Sequence, residues 1–275
     1  MEMKSKDMYP AIFSRHAAGY ERLLEQILSR GEALGRRRAI ELIDVQPGMR
    51  VLDLACGPGT LTRRLATAVA PDGEVVGVDL AAGMIQRATE LGIPNARFEV
   101  MDIEQLAFPD AFFDSAVCGH GLQFVPHLDR ALAEARRVLR AGSRFSASVP
   151  VTAPGASVVK LLDTVVDRWL PPAPQAIDQS ATKIVVGDPH AFAEAALTAG
   201  FATARADVID ETVMWESAEQ IVSHFASWWD CAMRLDEVEP SRQRRFIDDA
   251  LATVRREHPG PIETTTRNHV LFATA

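Results

Sequence analysis

Between Arg50 and Pro150 the chain alternates short β-branched runs with helical patterns, and this alternation limits the fold more than any other feature. The runs are Arg50–Ala55, Glu74–Asp79, Arg97–Met101, Phe113–Cys118 and Arg144–Pro150. Each is nearly continuous in apolar character, as strands of a parallel sheet covered on both faces must be. The stretches between them read as helices over Thr60–Ala70, Ala82–Leu91 and Pro126–Leu139. In the last of these, Leu128, Leu132, Ala135 and Leu139 recur at helical spacing, and Gly142 is placed to end it. Strand following helix following strand predicts an α/β fold with a doubly wound sheet and right-handed crossovers.

The flanks read differently. Ala11–Leu42 is helical in pattern, and Pro154–Leu170 reads as a helix stopped by Pro171, Pro172 and Pro174. The proline-bearing stretch from Pro171 to Gly187 reads as irregular. Asp188-Pro189 is a capping residue followed by a first-turn proline, so a helix starts there and ends at Gly200. Thr203–Trp215 reads as a strand, Ser217–Gln220 as a capping box opening a helix through about Leu235, Ser241–Glu257 as another helix, and Arg267–Thr274 as a last strand. No flexible linker separates these pieces, which predicts one domain over 1–275.

Charge and cysteine content narrow the class. With 29 Lys plus Arg against 37 Asp plus Glu, the net charge is −8, the wrong sign for a protein that lives on nucleic acid phosphates. Cys56, Cys118 and Cys231 are odd in number and far apart, so neither a metal knuckle nor a disulfide framework is indicated and no metal is expected. They read as reduced thiols. No apolar run reaches the roughly 18 residues of a membrane helix, and Met1–Pro10 lacks the apolar core of a signal peptide. The expectation is a cytoplasmic protein with a small-molecule partner.

The decisive segment is Val51-Leu-Asp-Leu-Ala-Cys-Gly-Pro-Gly59, in which a strand runs into two glycines and a helix follows. Glycines at that turn let the backbone approach a ligand closely and accept positive φ. The turn lies at the carboxyl end of the first strand, where open α/β sheets bind ligands. A nicotinamide dinucleotide fold wants a third glycine where this chain has Thr62. Asp53 would repel a pyrophosphate and would suit a ligand with an ammonium group, directly or through water. Asp79 ends the second strand 20 residues after Gly59, where nucleotide-binding sheets place an acid on a ribose diol. Asp102 follows the third run, placed to accept from an adenine amino group.

Taken together, VLDLACGPG, GEVVGVDLAAGMIQRA, MDIEQLAFPDAFFD and CGHGLQFVPHLDRALAEARRVLRAG resemble a class I S-adenosylmethionine-dependent methyltransferase core. The likeness is to the small-molecule group that includes the ubiquinone and menaquinone biosynthesis C-methyltransferases. It implies a Rossmann-like, seven-stranded, mostly parallel sheet with an N-terminal helical cover (1–45), a cofactor-binding core (46–150), and inserted C-terminal helices with the last strands on the substrate side (151–275). It implies S-adenosyl-L-methionine as cofactor, with Ala55, Gly57 and Gly59 along its methionine part, Asp79 on the ribose, and Leu80 and Met84 flanking the adenine. Asp102 and Ile103 would meet the adenine edge, and Cys118–Gly119 would pass beneath the sulfonium. Tyr20, in FSRHAAGYERLL, sits where relatives keep a tyrosine over the cofactor. The chain departs from the group's usual P-G-G turn with Ala141-Gly142-Ser143, and in the placing of the acid after the tyrosine motif.

The implied reaction moves a methyl group to oxygen or carbon of a small hydrophobic or aromatic metabolite. His120, after the fourth strand, is the candidate base, with a structural or substrate-shaping role as the other reading. His16 and His127 are weaker candidates; His224 would line an apolar helix face; His190 and His258 would be solvated. Cys-Gly-His-Gly stands where amino-nitrogen methyltransferases of nucleic acid bases typically carry an Asn/Asp-Pro-Pro-Tyr/Phe run. All four tryptophans, Trp169, Trp215, Trp228 and Trp229, fall in one segment, and Ile221, Phe225, Trp228, Ala232 and Leu235 would share one core-facing helix face, with Trp229 beside it as a wall or lid residue. Arg22, Arg36, Arg37 and Arg38 read as a solvated helix face, with contact to an acidic substrate as the other reading. The other readings are a cyclase or rearrangement enzyme on the same fold, a non-catalytic binding protein, and, remotely, an NAD-dependent oxidoreductase.

Overall fold

A computed structural model describes residues 2–151, 157–173 and 175–275. In chain order its elements are β1 (Glu2–Met3), α1 (Ser5–Ser29), α2 (Leu34–Ile43), β2 (Arg50–Leu54), α3 (Thr60–Val69), β3 (Glu74–Asp79), α4 (Ala82–Glu90), β4 (Ala96–Val100), β5 (Phe113–Gly119), α5 (Leu128–Val138), β6 (Leu139–Val151), α6 (Ser157–Trp169), β7 (Gln175–Ala176), α7 (Ser180–Val186), α8 (Pro189–Thr198), β8 (Thr203–Trp215), α9 (Ala218–Ala226), α10 (Trp229–Asp236), α11 (Pro240–Glu257) and β9 (Ile262–Thr274).

The five apolar runs of the sequence become the parallel part of one seven-stranded sheet, ordered β4-β3-β2-β5-β6-β9-β8. Only β9 runs antiparallel, to β6 and to β8. Val51, Leu52 and Leu54 of β2 are fully buried because helices cover both faces of the sheet. One face packs Leu132, Ala135 and Val138 of α5 and Phe192 of α8 against Phe113 and Phe145. The other packs Ala39 and Ile43 of α2 and Leu65 and Val69 of α3 against Val51, Val75 and Val117. Strand order reverses between β2 and its neighbours β3 and β5, which opens a crevice at their carboxyl ends.

β8 and β9 pair over thirteen residues, whereas β6 accompanies β9 only from Arg267 to Thr274. The overhanging half of the hairpin carries a second apolar cluster, in which Val213, Trp215 and Ile262 meet Leu162 and Val165 of α6, Ile221 of α9 and Phe246 of α11. α6, α9 and α11 are therefore anchored beyond the parallel sheet.

Several boundaries differ from those read off the sequence, each for a local reason. The first strand ends at Leu54, because Ala55 already has φ +53°. Ala11–Leu42 is two helices, since Gly31 and Ala33 take positive φ and turn the chain. α5 starts at Leu128 and ends at Val138, four residues before Gly142, because Leu139 is extended and pairs with Phe113. Pro171–Gly187 holds β7 and α7 and is not irregular throughout. The predicted start of α6 at Pro154 lies outside the described residues. The helix expected from Ser217 to about Leu235 breaks at Trp228, whose backbone is extended, so the five-residue face drawn across it does not exist. The cap at Asp188 forms as predicted, accepting from the Ala191 amide at 2.8 Å. Of the capping box, Ser217 Oγ accepts from the Gln220 amide at 3.3 Å, but Gln220 Oε1 accepts from the Glu216 amide at 2.9 Å, one residue before Ser217.

α1 crosses the crevice with its backbone in contact with the start of α4. A Cβ on Gly83 would lie 2.5 Å from the Ser14 carbonyl oxygen, and the Gly83 amide donates to Ser14 Oγ at 3.1 Å. Gly83→Ala should therefore push α1 outward, lowering unfolding free energy by about 1–3 kcal/mol as over-packed sites do. Urea denaturation checks it: a variant as stable as the parent would show that the two helices can separate without loss.

Candidate active site

The crevice is closed into a cavity of about 310 Å³ by α1 above and by the 121–126 loop and the start of α10 at its side. Its floor is the turn after β2. Gly57 takes φ +55°, and a Cβ there would have only Tyr20 Cε1 within 4 Å, at 4.0 Å, so the turn presents bare backbone to the cavity. Asp79 at the end of β3 holds this turn in place. One carboxylate oxygen accepts from the Gly57 amide at 2.9 Å and the other from the Ala81 amide at 2.8 Å. Burial pushes its carboxyl up, against the pull of those amides.

Of the residues singled out in the sequence, Tyr20, Ala55, Gly57, Asp79, Leu80, Met84, Asp102, Ile103, Gly119 and His120 all line this cavity. Three do not. Asp53 is fully buried behind the turn, where Oδ2 accepts from Thr62 Oγ1 at 2.6 Å and Oδ1 has no partner among the described residues, so it cannot touch a ligand directly. Gly59 faces the opposite way: a Cβ there would lie 3.1 Å from Ala88, Leu91 and Phe98, and its φ of +80° starts α3. Cys118 is likewise fully buried, in the sheet core. These three shape the turn from behind.

Other lining residues come from segments the motif reading passed over. Arg36 is 5% exposed and donates to the Tyr20 hydroxyl at 3.0 Å, which corrects its reading as part of a solvated face. It makes no ion pair among the described residues. Glu211, whose carboxylate feels the Arg36 charge, is committed to the Leu34 amide at the start of α2 at 3.1 Å. Lys6 reaches from α1 to Asp102 and to Glu104, at 2.6 Å each. Glu104 also accepts from the His127 amide at 2.9 Å, so His127 serves the loop through its backbone. An aromatic wall adds Tyr9, Phe13, Phe124, Trp228 and Trp229, with Trp229 set edge-on to Tyr9 at 5.3 Å. Trp169 and Trp215 lie elsewhere, bonded to Asp249 and Thr264.

His120 has φ +67°, a strained conformation for a residue with a side chain, fixed by its amide donating to Ser148 at 2.9 Å. Its Nε2 lies 2.9 Å from Asn268 Oδ1. That oxygen can only accept, so Nε2 carries the hydrogen and Nδ1 the free lone pair. Asn268 is itself locked, since Gly35 of α2 leaves no room for a Cβ beside it. Burial first, then the Arg36 charge, holds the imidazole pKa well below its ordinary value, so the ring is neutral at neutral pH. His16 lies 3.2 Å from Asp236, outside this cavity, and His224 packs between Trp215 and Trp228. His190 is exposed, whereas His258 is half-buried and not fully solvated.

Burial, reinforced by the Asp79 charge, raises the Asp53 carboxyl to about 7, against the Thr62 hydrogen bond. An acid whose folded pKa is raised binds more protons folded than unfolded between its two pKa values, so its contribution to stability falls as pH rises from about 4 to about 7. Asp53→Asn should remove that part of the slope. Melting curves across this window should show the variant gaining on the parent by a few kcal/mol at the upper end; parallel curves would mean the carboxyl titrates normally.

The sequence also matches known proteins. Residues 51–142 fit the model of the methyltransferase domain family. The chain is 36% identical over 187 residues to the ubiquinone/menaquinone biosynthesis C-methyltransferase UbiE of Ectopseudomonas mendocina, covering 66% of this chain and 72% of that one. It is 33% identical over 182 residues to the 2-phytyl-1,4-naphtoquinone methyltransferase of Synechococcus elongatus, covering 63% of this chain and 76% of the other. Among solved structures, the YcgJ protein of Bacillus subtilis shares the fold with a TM-score of 0.53 at 18% identity, covering 87% of this chain and 97% of that one. A glycine turn held by Asp79, a neutral histidine at the next strand end, and these similarities converge: the chain is a methyltransferase, a member of the family that includes the ubiquinone/menaquinone biosynthesis C-methyltransferases.

Proposed function

We propose that the cavity binds S-adenosylmethionine and directs its methyl group to an oxygen or a carbon of a small aromatic acceptor of quinone type. Arg36 carries the cofactor part of this reading. A buried guanidinium without an ion pair is costly to leave alone, and a carboxylate such as the methionyl group of this cofactor satisfies it. Asp79 gives one lone pair on each oxygen to an amide and keeps others for ribose hydroxyls. Ala55, Gly57 and Gly119 would then border the methionine part, with Tyr20 over it, while Leu80, Met84, Asp102 and Ile103 would border the adenine. Asp53, Gly59 and Cys118 would support the turn beneath. In this division residues 46–150 hold the cofactor, 1–45 cover it, and 151–275 complete the acceptor side.

S-adenosylmethionine, when bound, supplies a methyl group on a cationic sulfur that leaves readily. The chain's own contribution is then proximity, orientation and the exclusion of water. His120 takes a proton from an acceptor hydroxyl at Nδ1 while Asn268 holds the ring. Loss of that proton raises electron density on the oxygen and on the ring carbons, so one base serves either site of methylation. Two observations support an aromatic acceptor: the wall formed by Tyr9, Phe13, Phe124, Trp228 and Trp229, and the quinones in the names of the two relatives. Among the described residues no helix is long and apolar enough to cross a membrane.

Asp79→Ala and Arg36→Met should each weaken S-adenosylmethionine binding about tenfold or more, the loss expected for one charged hydrogen bond, as read by calorimetry. Unchanged affinity in both would remove the cofactor assignment. His120→Ala should reduce turnover by about 10²-fold or more with cofactor affinity intact. In the parent, the acid limb of the rate profile should fall below pH 6.5, because a depressed base stays free of its proton to lower pH. An unaltered rate in the variant would leave His120 a packing residue.

A further inference from the structure

α1 covers the crevice, and its first turn is fastened there by one side chain. The Lys6 ammonium pairs with Asp102 Oδ2 and with Glu104 Oε2, at 2.6 Å each. Ahead of Ser14, these are the only polar contacts of α1 with residues 46–150 among the described residues. The Glu104 side chain is 2% exposed, its Oε1 accepts from the His127 amide at 2.9 Å, and Lys6 is its one ion-pair partner among the described residues. A carboxylate that deep is stable as an ion only while it is paired. Lifting the first turn of α1 takes Lys6 away from Glu104 and from Asp102 together. Elsewhere this part of the helix is held by the Ser5 amide, which donates to Asp178 at 2.9 Å, and by Met8, Tyr9 and Ile12, which pack with Met233 of α10.

We propose that Lys6 is a positioning residue that latches α1 over the cofactor site, and that its ion pairs slow the passage of S-adenosylmethionine and of the spent cofactor in both directions. The inference rests on the cofactor reading above and goes beyond it, because Lys6 acts without touching the ligand. Both of its bonds join protein groups, so they oppose opening to the same extent whether the cavity is filled or not. A barrier common to entry and exit changes both rates and leaves affinity alone, whereas a lost ligand contact weakens affinity through the dissociation rate. Without Lys6 the balance at Glu104 reverses, since opening then lets water reach a carboxylate that closure leaves unpaired.

Surface plasmon resonance on the immobilised full chain, with S-adenosylhomocysteine as the probe, reads both rates. Lys6→Met, which keeps the length of the side chain and loses its charge, should raise the association and dissociation rates together by about tenfold, the loss expected for one charged hydrogen bond, with Kd within about twofold of the parent. Lys6→Arg, which keeps the charge, should exchange the probe as slowly as the parent; fast exchange there would show that charge is not what holds the helix. A rise in the dissociation rate alone would make Lys6 a ligand contact and overturn the latch, as would rates unchanged in Lys6→Met. If Lys6→Met does not fold, Lys6→Gln, which keeps a donor without the charge, must show the same parallel rise on a smaller scale. A parent that does not bind S-adenosylhomocysteine fails the cofactor reading, and this inference with it.

Discussion

Everything in the site is measured from one carboxylate. Asp79 ties the turn after β2 to the start of α4 through two backbone amides, beside the bond that the Cys56 amide donates to the Val78 carbonyl at 3.0 Å. The sheet brings the ends of β2 and β3 side by side, with Asp53 opposite Gly77 and Leu54 opposite Val78. That places the turn roughly, and Asp79 fixes it closely. The turn can take its shape because Ala55, Gly57 and Gly59 all have positive φ, and at Gly59 a side chain would also strike α4 and β4. Backbone strain at this point is offset by the strands beneath it, β2 and β3, whose interiors are buried.

The electrostatics follow from burial. Three ionisable groups sit in or behind one cavity with their charged forms opposed: Asp53 raised to about 7, Asp79 raised, and His120 lowered well below its usual value. Arg36 contributes in two ways. Its charge adds to the larger effect of burial in keeping the neighbouring histidine unprotonated, and it makes no ion pair among the described residues, which under the proposed function leaves it for an anionic ligand group. A single buried cation thereby favours both the neutral form of a base and the presence of a negatively charged ligand group. At the far edge, Lys6 shows the opposite arrangement, its charge fully met by Asp102 and Glu104.

The parallel core was legible in the sequence because its signals are local. β3 and β8 come out as read, and the other core strands differ by one residue at most ends, since a continuous apolar run ends where the chain leaves the sheet. The exceptions are β6 and β9, each of which begins five residues early: β6 enters the sheet directly from α5 by pairing with Phe113, and β9 starts at Ile262 by pairing with Trp215 of β8. The break at Gly31 has a local cause, a glycine at φ +78°, whereas the break at Trp228 is imposed by what the helices pack on: α10 turns to meet α1 through Met233 and Trp229, while α9 stays with the β8–β9 overhang. Tertiary contact overrides propensity there.

Arg36 marks the boundary between what local pattern can and cannot reveal. Three consecutive arginines look like a charged surface, yet a helix turns 100° per residue, so they cannot all face one way. The signal was present in the spacing: Arg36, Ala39, Ile40 and Ile43 follow one another at i, i+3, i+4 and i+7, an inward face with a cation at its head. Nothing comparable exists for Asn268. It lies 148 residues from His120, in a strand whose alternation says only that the position is buried, and its importance appears only when β9 is laid beside β6. Cofactor recognition in this fold is written into contiguous motifs because it depends on backbone at strand ends. The aromatic wall of the cavity is assembled from α1, the loop after β5, and α10, so its chemistry resides in distances between remote segments that sequence spacing does not encode.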